Sequence, residues 1–269
     1  MLNQPQPVFS YTIPYYISEI GESIEMFVSE KTYELYLASQ KNYPLVIISG
    51  SLHPFGEEFG GTTTTLFDKE KAILCIGLLD LQQLSNELID IAIATELEKI
   101  ATFKQEEFLY MLYTEDTPEY VQTFIDDLQH TITSIPIAKR LEKKGYRILE
   151  REEVVMKDLA ANELALKELR TNEPLKNSTG LFLLDRLLFI YQLDKKRYQI
   201  WKNQLKNYWP EVFIQLEELQ QEIKKMNLST YKGQRRAINK LIKKVGYDLY
   251  TKEVDLKEIE KWELPEAIS

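Results

Sequence analysis

Residues 71–100 read KAILCIGLLDLQQLSNELIDIAIATELEKI, and two periods meet inside this span. The run Lys71-Ala72-Ile73-Leu74-Cys75-Ile76 is short, apolar and partly β-branched, the pattern of a buried strand. From Ser85 the period lengthens. Ser85 is a residue of the N-cap kind, and Leu88, Ile89, Ala92, Ile93 and Ile100 fall on one broad helical face. A strand period giving way to a helix period within so short a stretch predicts an α+β fold.

Working upstream, Leu45-Val46-Ile47-Ile48 reads as a second buried strand, and Thr62 to Phe67 as a third, with Asp68 to Lys71 turning the chain. These strands predict a small antiparallel sheet. Before them, Tyr15 to Phe27 and Lys31 to Ser39 carry helical apolar spacing, and Asn42-Tyr43-Pro44 breaks the pattern. Downstream, Tyr120 to Thr133, Pro136 to Lys144 and Glu152 to Leu169 read as helices separated by proline and glycine signals. Residues 171–180 (TNEPLKNSTG) read as a linker, with four more helical segments after it. The expected architecture is therefore a small antiparallel sheet packed with helices over residues 1–170, followed by an all-helical region over 171–269. No repeat of solenoid period and no low-complexity tract interrupts it.

Composition narrows the chemistry. The chain has 269 residues, 44% of them hydrophobic, enough to bury a substantial core. Met1 to Pro7 lack the basic and apolar regions of a secretory signal, so no export is expected. The apolar stretch Gly180 to Tyr191 is short and carries Asp185 and Arg186 at its centre, so it reads as a core helix rather than a membrane span. The expected location is the cytoplasm. The single cysteine, Cys75, lies in an apolar run and reads as a buried structural thiol. With His53 and His130 as the whole imidazole supply, the usual Cys/His zinc sites cannot be assembled. A carboxylate-rich Mg²⁺ or Ca²⁺ site stays open, although no D-x-[DN]-x-[DN]-G loop argues for one. No metal and no cofactor is expected.

Charge is unevenly spread along the chain. Residues 1–135 hold 21 Asp and Glu against 6 Lys and Arg, a net of −15, whereas residues 136–269 hold 21 against 27, a net of +6. This split reads either as different partners for the two halves, as one half docking on the other, or as ordinary surface charge.

The helix segment Ile93-Ala94-Thr95-Glu96-Leu97-Glu98-Lys99-Ile100, coming after a strand, resembles the core of a zincin-type metallopeptidase, whose helix carries H-E-x-x-H. Phe124 to Ile132 and Ile135 to Tyr146 resemble the following segments of some bacterial zincin-like proteins, so that the likeness covers residues 15–160. The departure is decisive for chemistry. Thr95 and Lys99 occupy the positions of the two zinc-binding histidines, and neither can replace a neutral imidazole on the shared i, i+4 face. Lys99 adds positive charge where a cation would sit. What the resemblance implies is a degenerate scaffold that binds rather than hydrolyses, in a bacterial or phage defence or counter-defence setting.

Glu96 has two readings, the relic of a catalytic base or one half of an intrahelical ion pair with Lys99 at the rim of the core. On a helical wheel it faces the apolar arc, with Glu87 and Glu98 on the opposite side. The loop Gly50 to Gly61 combines His53, Glu57 and Glu58 with two aromatics, and reads as a ligand or partner contact or as plain surface. It lacks both a nucleophile elbow and P-loop spacing. Near the end, Lys232, Arg235, Arg236, Lys240, Lys243 and Lys244 surround Ala237, Ile238 and Leu241 on a basic amphipathic helix. Such a helix is a solvated face, a contact for an acidic protein, or a nucleic-acid contact over residues 232–244. Tyr191, Tyr198, Trp201, Tyr208 and Trp209 read as core.

The leading expectation is a non-catalytic binding or scaffold protein with a protein partner and no membrane partner. One alternative is a metal-free or Mg²⁺-dependent hydrolase using Glu96 with Glu57, Glu58 or Asp126. The other is a nucleic-acid-binding regulator acting through the basic helix.

Overall fold

The structure, a computed structural model, describes residues 8–17, 21–49, 63–67, 71–104, 110–161 and 163–254. The fold is α+β. The chain groups into two compact units, the first formed by Met1–Phe103 with Ile137–Arg151 and the second by Lys104–Pro136 with Glu152–Ser269. The division therefore does not fall at 170/171. Residues 171–180, expected as a linker, are helical from Glu173 onward. Asn172 caps that helix by accepting from the Leu175 N–H, and Pro174 sits in its first turn. An Asn-Glu-Pro sequence is a helix start as readily as a loop, because proline's missing N–H costs nothing in the first turn.

In the first unit β1 (Phe9–Ile17) and β2 (Glu22–Ser29) form an antiparallel pair. The helix expected over Tyr15 to Phe27 is absent. Its apolar spacing also fits strand alternation, which buries Ile13, Tyr15 and Val28, and the β-branched and aromatic residues favour the strand. Gly21, with φ +67°, supplies the left-handed backbone just before β2. Pro14 is tolerated because β1 pairs with its other neighbour only at Tyr16↔Ile48.

Helix α1 (Glu30–Asn42) then carries the chain back to β3 (Leu45–Ser49), and β4 (Thr64–Phe67) and β5 (Ala72–Ile76) follow. The strand order is β2-β1-β3-β5-β4. The β4–β5 pair is antiparallel, as the spacing predicts, but β3 runs parallel to both β1 and β5. The sheet is mixed because successive strands alternate in direction along the chain while β1, β3 and β5 lie side by side.

After α2 (Leu78–Gln83), α3 (Asn86–Ala101) begins at Ser85, whose side chain accepts from the Leu88 N–H as expected of an N-cap. α3 packs on α1 and β5. Its buried residues include Ile91, Ala92, Ile93, Ala94, Leu97 and Ile100 together with Asp90, Glu96 and Glu98, so it is buried nearly all round.

The second unit pairs β6 (Tyr110–Tyr113) with β7 (Thr251–Val254). The C-terminal region is thus mostly helical but not wholly so. Its helices are the first part of α4 (Glu119–Lys143), the end of α5 (Ile148–Ala161), α6 (Glu163–Thr171), α7 (Glu173–Leu193), α8 (Lys195–Leu205), α9 (Pro210–Ile223) and α10 (Tyr231–Lys244).

α4 runs straight through Pro136, where a break was expected. Ile132, Ile135, Ile137 and Ala138 are all buried around it, and that packing offsets the roughly 3 kcal/mol that an internal proline costs a helix. Over the helix expected from Glu152 to Leu169 every described residue is helical, in α5 and α6. α7 is the core helix read from Gly180 to Tyr191, with Leu183, Leu184, Leu187, Leu188 and Ile190 buried. Tyr198, Trp201 and Trp209 are buried as core aromatics, and Tyr191 and Tyr208 half-buried. Among the described residues no helix is long and apolar enough to cross a membrane.

The charge split along the sequence does not survive folding. Counted over its residues, the first unit carries 16 Asp and Glu and 11 Lys and Arg, and the second 26 and 22. Their nets of −5 and −4 are nearly equal because the basic segment 137–151 joins the acidic first part.

Candidate functional site

Thr95, Glu96 and Lys99 lie on α3 in the first unit. Glu96 is 3% exposed, and Lys99 Nζ lies 3.3 Å from its Oε2. The expected intrahelical pair is therefore present, with the carboxylate inside and the ammonium toward its rim. Thr95, half-buried, donates its hydroxyl to the Ile91 carbonyl at 2.8 Å. None of the three presents an open ligand atom in the manner a catalytic zinc site requires.

Glu98 departs from expectation. The wheel places it opposite the core, yet it is 4% exposed. Arg140 Nε donates to its Oε1 at 2.6 Å and Lys144 Nζ to its Oε2 at 2.7 Å. The C-terminal part of α4 lies along this second side of α3, supplying the two cations that make burial of the carboxylate tolerable. Glu87, half-buried, pairs with Arg147.

At the start of α3, Asp90 accepts from the Ser29 N–H at 2.9 Å and the Ser29 hydroxyl at 2.7 Å. Burial raises its pKa, and the Ser29 bonds oppose that. Cys75 is fully buried, and burial pushes its thiol up to about 11, with Glu96 adding to the effect. It is an inert structural thiol, as read.

The loop candidates His53, Glu57 and Glu58 lie outside the described residues. Asp126 belongs to the second unit and accepts from the Tyr113 hydroxyl. His130, on α4, lies 3.5 Å through Nε2 from the Ser134 hydroxyl. Among the described residues no group of three His, Cys, Asp or Glu is arranged to hold a metal ion.

The basic helix forms as expected, and the structure sorts its cations. α10 buries Ala237, Ile238, Leu241 and Ile242. Thr230 caps it, accepting from the Gly233 N–H at 3.2 Å. Gly233 is required by close approach, since a Cβ there would stand 1.8 Å from the Asn227 carbonyl oxygen. On one flank Arg235 pairs with Glu253 of β7. On the other, Lys240 pairs with Glu222 and Lys244 lies 2.9 Å from Glu218, both on α9. Lys240 holds the Glu222 carboxyl below the usual range, and Glu218 raises Lys244. These partners come from the helix's own unit, not from the acidic first half of the chain. Lys232, Arg236 and Lys243 are exposed and make no ion pair among the described residues.

Two features escape sequence reading. A groove of about 650 Å³ is lined by Lys157, Leu166, Arg197, Ile200, Trp201 and Tyr208 among others. Its charged groups satisfy each other, for Glu153 accepts from Trp201 Nε1 and from Arg197 Nη1, both at 3.0 Å. The second is Asp185 in α7, 1% exposed, with Thr131 donating to its Oδ2 at 3.0 Å and no partner for Oδ1. Neighbouring Arg186 pairs with Glu152 at 2.6 Å. The adjacent Asp-Arg in an apolar helix was the available signal for this buried cluster.

Compared with family models, with curated proteins and with solved structures, the chain matches none of them.

Proposed function

We propose that the chain works by binding a partner rather than by hydrolysis, on a scaffold that resembles a degenerate zincin-type domain. The observation that carries this reading is the closed state of Glu96, whose carboxylate is 3% exposed and tied to Lys99 at 3.3 Å. A general base of the metallopeptidase kind must reach a polarised water beside an open metal position. Here the neighbouring side chains at both imidazole positions are a hydroxyl bonded to its own helix and an ammonium. The test is hydrolysis of a mixed peptide pool, with and without added Zn²⁺ or Mg²⁺, by the chain and by Glu96→Gln. Equal background rates are expected, and cleavage that depends on Glu96 overturns the reading.

A further inference from the structure

We propose that the solvent crest of α10, formed by Lys232, Arg236 and Lys243, is a docking surface for an acidic peptide segment of a partner protein. The inference rests on the binding reading above and names the surface and the partner chemistry. Its ground is the way the structure separates six cations that the sequence presents as one cluster. The 14-residue helix contains six Lys and Arg and no carboxylate. At about 100° per residue, Lys232, Arg236 and Lys243 fall within about 40° of one another, opposite the buried face, and span about 16 Å along the axis. Arg235 lies to one side and Lys240 and Lys244 to the other, and those three are the cations that Glu253, Glu222 and Glu218 neutralise.

The unpaired crest works against the helix that carries it. Lys232 stands in the first turn, at the positive end of the helix dipole, and α10 has no acidic residue there. Lys232 and Arg236 are like charges at i, i+4, an arrangement that weakens a helix. Carboxylates at hand, Glu218, Glu222 and Glu253, serve the flanks alone. An anionic partner would reverse both penalties.

The flanking carboxylates also restrict what that partner can be. Because they neutralise the cations on both sides, the unpaired positive charge is confined to one narrow strip along the helix. A wide, uniformly anionic surface, whether a nucleic-acid duplex or a phospholipid plane, would also have to cover the neutral ion pairs on either side, where its charge gains nothing. A single peptide segment can lie along the crest alone. Carboxylates at i, i+4 and i+11 of a partner helix match the crest in spacing.

The experiment measures fluorescence anisotropy of a labelled helical peptide of about 16 residues, with Glu at those spacings and Ala elsewhere. The full chain is compared with Lys232→Ala/Arg236→Ala/Lys243→Ala. Each exposed pair is worth about a twofold to threefold factor, so the triple variant should bind about tenfold more weakly. Binding of the unaltered chain should weaken as salt rises. Lys244→Ala, on the flank, should bind within about twofold of the unaltered chain by the same scale. The crest residues make no ion pair among the described residues and repel one another, so the triple variant should melt no lower than the unaltered chain. If it fails to fold, Arg236→Ala alone should show a twofold to threefold loss.

Peptide binding that is absent, or that the crest substitutions leave unchanged, overturns the proposal. So does crest-dependent binding that is tighter for duplex or single-stranded RNA, or for phosphatidylserine vesicles, than for the peptide. Each of these results leaves the hydrolysis assay unaffected, while Glu96-dependent cleavage would overturn the broader reading without touching the anisotropy result.

Discussion

Replacing Asp185 by Asn should flatten the pH dependence of the second unit's stability. Asp185 sits in α7 with burial raising its pKa to about 8; Asp127 and Glu152 raise it further, while Arg186 and the Thr131 bond act in the opposite direction. In an unfolded chain the same carboxyl titrates near 3.9. The folded chain therefore keeps a proton that the unfolded chain releases between about pH 4 and pH 8. With the folded pKa raised, the favourable contribution is complete below the unfolded value and is lost as pH climbs to the folded value. The slope is about 1.4 kcal/mol per pH unit, so that a shift of about four units sums to about 6 kcal/mol as an upper bound.

Asn cannot ionise, can still accept from Thr131, and has nearly the same shape. The described tryptophans, Trp201 and Trp209, both belong to the second unit. Urea unfolding followed by tryptophan fluorescence at a series of pH values thus reports this unit. The stability of Asp185→Asn relative to the parent should rise by about 1 kcal/mol per pH unit between pH 5 and pH 8, then level off. A difference that stays constant over that range would refute the reasoning, since it would mean that Asp185 ionises in the folded chain as it does in the unfolded one.

Three further outcomes are expected. Arg140→Ala/Lys144→Ala leaves the buried Glu98 carboxylate without either cation, and should cost about 3 kcal/mol in chemical unfolding, whereas a loss below 1 kcal/mol would mean that water reaches Glu98. Cys75, buried and raised to about 11, should resist a thiol reagent at pH 8 until denaturant is added; prompt native-state labelling would contradict the packing of β5. Elemental analysis of the purified chain should find far less than one zinc per molecule, because Thr95 and Lys99 hold the would-be ligand positions on α3; a stoichiometric amount would point to ligands other than these.

Much of the α+β organisation is legible in the sequence because β3 and β5 are short apolar β-branched runs, β4 is β-branched, and α3 and α7 are longer apolar segments. Ser85 is read as an N-cap and proves to be one. The errors fall where a residue has two local meanings. Tyr15 to Phe27 carries helical spacing, while Ile13 with Tyr15 and Ile24 with Met26 and Val28 also alternate as in a strand, and what selects β1 and β2 is pairing across the hairpin, a contact that local periodicity does not contain. Pro136 and Pro174 both suggest a break, yet one lies inside α4 and the other opens α7. For a proline the outcome depends on whether the flanking apolar residues are buried by distant chain.

The same limit accounts for the site. The pairing of Glu96 with Lys99 was readable because both partners lie on one helix, three residues apart. Glu98 was misplaced because a helical wheel has one apolar side by construction, whereas α3 has two packed sides. The second is provided by residues 137–151, some forty positions further along, which bring Arg140 and Lys144 to the carboxylate. That long-range return also cancels the charge split. The basic residues of 137–151 join the acidic first part, leaving nets of −5 and −4 in the two units. Net charge along the sequence thus carries no information about which face is free. Partnering does. On α10 the cations on the flanks are spent within the unit and those on the crest are not. It is this residue-by-residue difference, invisible in a count of lysines, on which the proposed docking of an acidic segment rests.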